Sequence, residues 1–167
     1  MLVFKNRSNI QDVKARRIEP QDTQVDDIMI MLPLSDSLAR IFLSLLAGLL
    51  IGFTRKNYPA GVRTFTLICI GATIFTIISL DPVFSGVTGV DQTRIISQIV
   101  VGIGFIGAGV IWKFGSSNKI SGLTTAAAIW VTAAVGILIG MGEYLISGFS
   151  LLIVIAVLYS KHIWPDI

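Results

Sequence analysis

A glycine-rich stretch in the middle of the chain has the spelling of a cofactor site. Gly102 to Gly107 read G-x-G-x-x-G, the pattern that binds a dinucleotide pyrophosphate between a strand and a helix. Such a site also needs an acidic residue about 20 positions later to hold the ribose. Here residues 95–112 are uncharged, and no acidic residue lies between Asp91 and Glu143. The sequence therefore predicts no nucleotide site, and no cofactor is expected.

Carboxylates are the second group of residues with possible chemistry. Asp81 and Asp91 flank a short polar connection, and carboxylate oxygens are the ligands that Mg²⁺ prefers. Both residues also fit structural roles, because Asp81 precedes Pro82 and Asp91 is placed to cap the following helix. The structural interpretation is favoured. No metal site is therefore predicted, and the two aspartates are kept as candidate ligands.

Enzymatic chemistry has no visible basis in the sequence. The hydrophobic segments contain no nucleophile with a neighbouring base, no phosphate-binding loop and no paired carboxylates. Cys69 and His162 are the single cysteine and the single histidine, so neither predicts a disulfide or a metal site. The net charge of +3 is scattered between hydrophobic runs, which argues against nucleic-acid binding. The chain is predicted to be non-enzymatic.

Basic and polar side chains beside the hydrophobic segments are the remaining candidates, since such groups need partners near a membrane and often mark function. Arg94 is expected to pair with Asp91, with Gln98 on the same helix face. Arg63 fits an anchor to lipid phosphate and a functional group equally well. Arg40 is expected to extend its guanidinium to the membrane surface while its stem stays in lipid.

The composition identifies the elements that must position these groups. The chain is 53% hydrophobic and 14% charged, with a mean hydropathy of +0.80, which is typical of an integral membrane protein. About 20 apolar helical residues cross a bilayer core of about 30 Å. Five segments are candidates, the last of them short: 37–53, 64–80, 95–112, 123–141 and 144–159. We predict an all-α polytopic transmembrane helical bundle of about five spans, or four if the last lies on the membrane surface. A compact basic hairpin, 113–121, is predicted between the third and fourth spans.

Small residues are predicted to form the contacts between these spans, because they let helix backbones approach closely. The positions are Gly48 and Gly52 in the first span, Gly136 and Gly140 in the fourth, and Gly102, Gly104, Gly107, Ala108 and Gly109 in the third. The last group covers two helix faces, so the third span is predicted to be central and packed on both sides. Thr124 and Thr125 are expected to bond to carbonyl groups of their own helix.

Loop charge predicts the orientation, because Lys and Arg accumulate on the cytoplasmic side of a membrane. One side of the predicted bundle collects Arg55, Lys56, Arg63, Lys113, Lys119 and Lys161, whereas the other has Arg40 and Arg94 near the membrane. The N-terminus is therefore predicted to lie outside and the C-terminus in the cytoplasm. This gives a polar N-terminal tail (1–34), a transmembrane domain (35–160) and a short cytoplasmic tail (161–167). A start at Met29 or Met31, without residues 1–28, stays open.

Four sequence blocks between Asp36 and Tyr144 resemble the MgtC/SapB family. They read G-L-L-I-G-F-T-R at 48–55, A-G-V-R-T at 60–64, R-I-I-S-Q-I-V-V-G-I-G-F-I-G-A-G-V-I at 94–111 and G-L-T-T-A-A-A-I-W-V-T-A-A at 122–134. Their order and spacing make the resemblance specific. The blocks add Arg55, Thr64 and Trp130 to the candidate functional or packing residues.

The resemblance implies a multi-pass protein of a bacterial-type inner membrane, associated with growth in low Mg²⁺, with acid or envelope stress, and with virulence in pathogens. It also implies regulation of other membrane proteins, including ion-motive ATPases. Two residues depart from the family pattern, since Thr54 stands where Glu is usual and Phe65 where His is usual. Longer members carry a soluble C-terminal domain, whereas seven residues follow Ser160 here, so regulation through such a domain is not expected.

These features favour a protein that regulates a membrane partner through contacts between small residues. An ion carrier would ordinarily show an ionisable residue near the membrane midplane, and the spans have none there. A channel or carrier for Mg²⁺ or another small ion is the alternative, with backbone carbonyls and threonines lining the path. Self-association through the same glycine faces is the third hypothesis. The expected partners are the lipid bilayer and either another membrane protein or a second copy of the chain.

Overall fold

A computed structural model describes residues 34–58, 60–81, 93–113 and 120–160. Within them the chain forms the elements α1 (Leu34–Thr54), α2 (Val62–Leu80), α3 (Thr93–Val110), β1 (Trp112–Lys113), β2 (Ile120–Ser121), α4 (Leu123–Met141) and α5 (Tyr144–Ser160). The two strands pair antiparallel, with Trp112 opposite Ser121 and Lys113 opposite Ile120. The strands therefore agree with the hairpin predicted between the third and fourth spans. Residues 1–33 of the predicted N-terminal tail, the predicted C-terminal tail (161–167) and Asp91 lie outside the described residues.

The helix lengths match a membrane protein. α1, α2, α3 and α4 are 21, 19, 18 and 19 residues long and apolar enough to cross a membrane, whereas α5 is a shorter apolar helix of 17 residues. The predicted all-α polytopic bundle is confirmed. The bounds of α4 are those predicted, and α1 begins at Leu34 rather than at Ser37. Orientation in the membrane stays a prediction.

α4 lies at the centre of the bundle and packs against α1, α2, α3 and α5. In an 18-residue apolar stretch of α4, 50% of the residues are buried, compared with 11% in α3. Ile129 of α4, Ile51 of α1 and Phe65 of α2 are fully buried in the common core. The prediction that the third span is central is therefore wrong. Small residues bury a helix only where a neighbouring helix packs closely against them. Here the glycines that are closely packed belong to α1 and α4, and they contact α2.

Glycine pairs hold α2 between α1 and α4. A Cβ atom on Gly48 of α1 would lie 2.6 Å from the Cα of Thr66, and one on Gly136 of α4 would lie 2.5 Å from the Cys69 carbonyl oxygen. The second glycine of each pair is similarly close to α2. These spaces exclude any side chain, so the two predicted G-x-x-x-G contacts are present. Cys69 is fully buried where both helices approach, as expected of a small hydrophobic residue.

Candidate functional site

Two faces of α3 carry small residues that meet no neighbour within the described part of the chain. A Cβ atom built on Gly102, Gly104 or Gly109 would have no atom of another element within 4 Å. Ala108 is exposed on the same helix. Phe105 is 84% exposed, so a large apolar side chain lies beside these small residues. The structure thus leaves four predicted packing residues exposed, without a contact to another described element.

The inner face of α3 packs against the beginning of α4. A Cβ atom on Gly107 would lie 3.6 Å from the Ala126 carbonyl oxygen and 3.7 Å from the Ala126 Cβ atom. Ile103, one turn earlier, is buried in the common core. Gly107 is therefore the member of the predicted small-residue group that makes a contact inside the bundle.

An apolar groove with a volume of about 670 Å³ runs between α2 and α3. Both walls carry a glycine, Gly71 on α2 and Gly102 on α3, and a Cβ atom on either would meet nothing within 4 Å. Arg94 and Gln98, in the first turns of α3, are its polar lining residues. The other lining residues are Leu67, Ile68, Ala72, Phe75, Ile95, Ile99, Ile103 and Ile106. The groove thus brings Arg94, Gln98 and Gly102 together beside a mostly hydrocarbon surface.

Arg40 joins the beginning of α1 to the end of α4. Its Nη2 atom lies 2.6 Å from Asp36 Oδ2, and its Nη1 atom donates to the Gly140 carbonyl oxygen at 2.6 Å. Asp36 Oδ1 in turn accepts a hydrogen bond from the Tyr144 hydroxyl at 3.1 Å. The prediction that Arg40 extends to the membrane surface is wrong, because a carboxylate one turn earlier and the carbonyl end of α4 both attract the cation. The spacing of Asp36 and Arg40 in the sequence was the signal for this pair.

Arg55 lies just beyond the other end of α1 and is buried more deeply, with 3% of the residue exposed. Its Nη2 atom donates to Thr125 Oγ1 at 2.5 Å, and its guanidinium carbon lies 3.8 Å from the centroid of the Tyr58 ring. Its Nε atom is buried without a hydrogen-bond partner among the described residues. Burial lowers the pKa of Arg55 from its ordinary value, while Tyr58 acts in the opposite direction. A guanidinium nevertheless stays charged in proteins.

The threonines of α4 divide into two groups. The hydroxyl of Thr125 accepts from Arg55. Among the described residues it makes no bond to a carbonyl of its own helix, so that expectation is wrong for Thr125. Thr132 has that local bond instead and donates to the Ala128 carbonyl oxygen at 2.7 Å. Thr124 is exposed. Neighbouring threonines in the sequence thus have different surroundings.

The other predicted site residues lie apart from one another. Arg63 is exposed in the first turn of α2, and Thr64 beside it is half-buried. Trp130 lies on α4 and is 51% exposed. Asp81 is half-buried directly after α2, whereas Asp91 lies outside the described residues. The structure does not bring this set into one site.

Carboxylates in the described ranges do not form a metal-binding cluster. No group of three or more His, Cys, Asp or Glu residues that could hold a metal ion occurs in residues 34–58, 60–81, 93–113 and 120–160. Asp36 begins α1, Asp81 follows α2, and Glu143 follows α4. Asp36 is already paired with Arg40.

The two departures from the family pattern have defined surroundings. Thr54 ends α1 and donates its hydroxyl hydrogen to the Ile51 carbonyl oxygen at 2.7 Å, a bond within its own helix. Phe65 is fully buried and belongs to the common core. Thr54 therefore supplies no charge next to Arg55, and Phe65 packs in the hydrophobic core.

Comparison with known proteins identifies relatives over most of the chain. The MgtC family profile matches residues 41–164. SrpB of Synechococcus elongatus is 38% identical over 129 residues, which cover 68% of this chain and 70% of SrpB. Protein MgtC of Brucella abortus is 41% identical over 133 residues, which cover 77% of this chain and 52% of that protein. The putative magnesium transporter YhiD of Escherichia coli is 39% identical over 134 residues, which cover 77% of this chain and 61% of YhiD.

The relatives differ from the chain in length. The match spans about half of the Brucella protein, whereas it spans 70% of SrpB. No solved structure matches the chain. The family profile covers nearly all of the helical bundle described above, from α1 to beyond α5. The chain belongs to the MgtC family.

Proposed function

We propose that this chain is a non-enzymatic, multi-pass protein of the bacterial inner membrane that regulates another membrane protein. The setting is adaptation to low Mg²⁺ or to acid or other envelope stress. The family membership and the name of the E. coli relative support the connection with Mg²⁺. Ion-motive ATPases are the class of partner that the family resemblance suggests.

The proposal rests on the exposed face of α3 that carries Gly104 and Ala108. α3 has 18 residues and a membrane-compatible hydropathy, yet 11% of it is buried within the bundle. Helices associate in lipid through close packing of small residues, because lipid chains are as apolar as the side chains they replace. The glycine pairs of α1 and α4 are occupied by α2, whereas the strip at Gly104 and Ala108 has no counterpart among the described residues. A transmembrane helix of a partner fits this strip.

The experiment compares two substitutions of exposed glycine faces. Gly104→Leu combined with Ala108→Leu fills the strip on α3. Gly148→Leu is the matched control, because Gly148 lies on α5 and a Cβ atom there also meets nothing within 4 Å. We expect crosslinking in membranes followed by purification to recover the partner with the wild type and the Gly148 variant, and not with the double variant.

Equal recovery of the partner with all three proteins would contradict the proposal, provided that the double variant elutes as a folded species. Recovery of a crosslinked dimer of this chain alone would instead favour self-association through the same face. Low and high Mg²⁺ during growth provide the physiological comparison.

A channel or carrier for Mg²⁺ or another small ion is the second candidate, and the name of the relative YhiD, a putative magnesium transporter, favours it. The described carboxylates lie at helix ends, so a path through the bundle would depend on backbone carbonyls and on buried threonines such as Thr73 and Thr76. Mg²⁺ flux into proteoliposomes that contain the purified chain decides between the candidates. Flux above that of empty liposomes supports transport, and its absence in folded protein supports regulation.

A further inference from the structure

Arg55 is a buried cation without an acidic partner in the part of the chain that the structure describes. It is 3% exposed, and its Nε atom has no hydrogen-bond partner among the described residues. The described acidic residues are Asp36 at the beginning of α1, Asp81 after α2 and Glu143 after α4. Each is separated from the Arg55 end of the bundle by a helix of about 28 Å. The charge of Arg55 therefore needs a partner from elsewhere.

The Arg55 side chain also points at an uncapped helix N-terminus. Thr125, its hydrogen-bond acceptor, is the third residue of α4. The first backbone bond of α4 runs from the Ala126 N–H to the Gly122 carbonyl oxygen at 2.8 Å, so the N–H groups of residues 123–125 have no partner within the helix. Gly122, with φ of 93°, has no side chain that could cap them. Four donor groups thus lie together at this helix end: three N–H groups and the guanidinium.

Electrostatics distinguishes this end of α1 from the other. Arg40 meets Asp36 and the carbonyl end of α4, where the helix dipole favours a cation. Arg55 meets the N-terminal end of the same helix, where the dipole favours an anion. The Tyr58 ring covers one face of the guanidinium but leaves its edge, which carries the N–H donors, for hydrogen bonds. An anion at this position would compensate both the charge of the Arg55 guanidinium and the positive end of the α4 dipole.

We propose that Arg55 and the first turn of α4 bind a phosphate group. Phosphate oxygens accept several hydrogen bonds at once and bind both to helix N-termini and to arginine. Leu123 and Thr124, which carry two of the free N–H groups, are exposed, so the site is open to the outside. Exposed Arg63 adds positive charge at this end of the bundle. The phosphate belongs to an anionic lipid headgroup, which lies at the depth of a helix end in a bilayer, or to free inorganic phosphate.

The test uses the purified full chain and two probes. Equilibrium dialysis with labelled inorganic phosphate measures the soluble source. Native mass spectrometry after equilibration with equal parts of phosphatidylglycerol and phosphatidylcholine measures the lipid source. Binding of inorganic phosphate, or selective retention of phosphatidylglycerol, supports the site and identifies its ligand. Failure of both probes to bind the wild type overturns the proposal.

Three variants locate the binding. Arg55→Gln is expected to weaken it about tenfold, the effect of losing one charge-assisted hydrogen bond. Lys56→Gln removes the same charge from the next, exposed residue and is expected to change affinity less than about twofold. Thr125→Asp places a carboxylate beside Arg55 and at a helix N-terminus, so it is expected to keep the fold while it displaces the phosphate.

The variants also keep the inference testable if Arg55→Gln does not fold. Full binding by folded Thr125→Asp, or an equal loss with Lys56→Gln, would show that general surface charge holds the anion and would overturn the proposal. The site does not rest on the regulatory function proposed above. A failure to bind phosphate leaves the crosslinking result at α3 unaffected, and the reverse is also true.

Discussion

Alanine in place of glycine should have opposite effects on stability in α4 and in α3. Both changes favour the helix by up to about 1 kcal/mol, because alanine loses less backbone entropy than glycine. At Gly136 the new Cβ atom would lie 2.5 Å from the Cys69 carbonyl oxygen, about 0.9 Å inside ordinary van der Waals contact. α4 must then move away from α2, which costs about 1 to 3 kcal/mol.

The same movement weakens a buried hydrogen bond. The Thr73 hydroxyl donates to the Gly136 carbonyl oxygen at 2.8 Å, and such bonds contribute about 0.6 kcal/mol on average in a membrane protein. We therefore expect Gly136→Ala to lower the free energy of unfolding by about 1 to 3 kcal/mol. Gly104→Ala, with no atom within 4 Å of the new Cβ, is expected to leave it unchanged or to raise it by up to about 1 kcal/mol.

Reversible unfolding of the purified chain from mixed micelles by increasing sodium dodecyl sulfate, followed by circular dichroism, measures this difference. Monomeric protein is required, because an occupied α3 face would add its own effect. A Gly136→Ala variant as stable as Gly104→Ala would refute the assignment of the α2–α4 interface. It would mean that these backbones do not approach as closely as the glycine geometry requires.

Further substitutions examine individual contacts. Thr73→Val should lower the free energy of unfolding by about 0.6 kcal/mol in the same assay, since it removes the bond to Gly136. Arg40→Met leaves Asp36 without its cation and the Gly140 carbonyl without its donor, and should cost about 2 kcal/mol, whereas Tyr144→Phe, which removes an exposed bond, should cost less than about 1 kcal/mol. Cys69 is fully buried, so it should react with a maleimide after unfolding and not in folded membranes, whereas a cysteine introduced by Gly148→Cys should react in both.

Hydropathy predicted the helices of this protein well, for a physical reason. A span must satisfy its backbone hydrogen bonds internally and must be apolar over the thickness of the bilayer, and both requirements are properties of a single segment. Leu123–Met141 could therefore be delimited from the sequence. The spacing of Gly48 with Gly52 and of Gly136 with Gly140 likewise indicated close helix contacts, because four residues bring small positions onto one face.

The arrangement of the helices could not be obtained in the same way. α3 has four glycines and α4 has two, yet α4 is central, because burial depends on which surfaces the neighbouring helices offer. The surroundings of Arg40 and Arg55 likewise depend on which helices lie next to them. Their partners Gly140 and Thr125 are 100 and 70 positions away in the chain, and no local spacing indicates such a contact. The Asp36–Arg40 ion pair could have been predicted from the sequence, because the two residues are one helical turn apart.

The first turn of α4 lies between α3, which carries the proposed partner surface, and Arg55 of the proposed phosphate site. Gly107 on the inner face of α3 packs against Ala126, and the preceding residue, Thr125, holds the Arg55 guanidinium. α2 is fixed between α1 and α4 by glycine contacts on both sides, whereas α3 is separated from α2 by the groove along part of its length. α3 therefore packs less closely against α2 than α1 and α4 do. Its inner face and Arg55 meet neighbouring residues of α4, Ala126 and Thr125, while the Arg40 cluster lies at the opposite end of that helix.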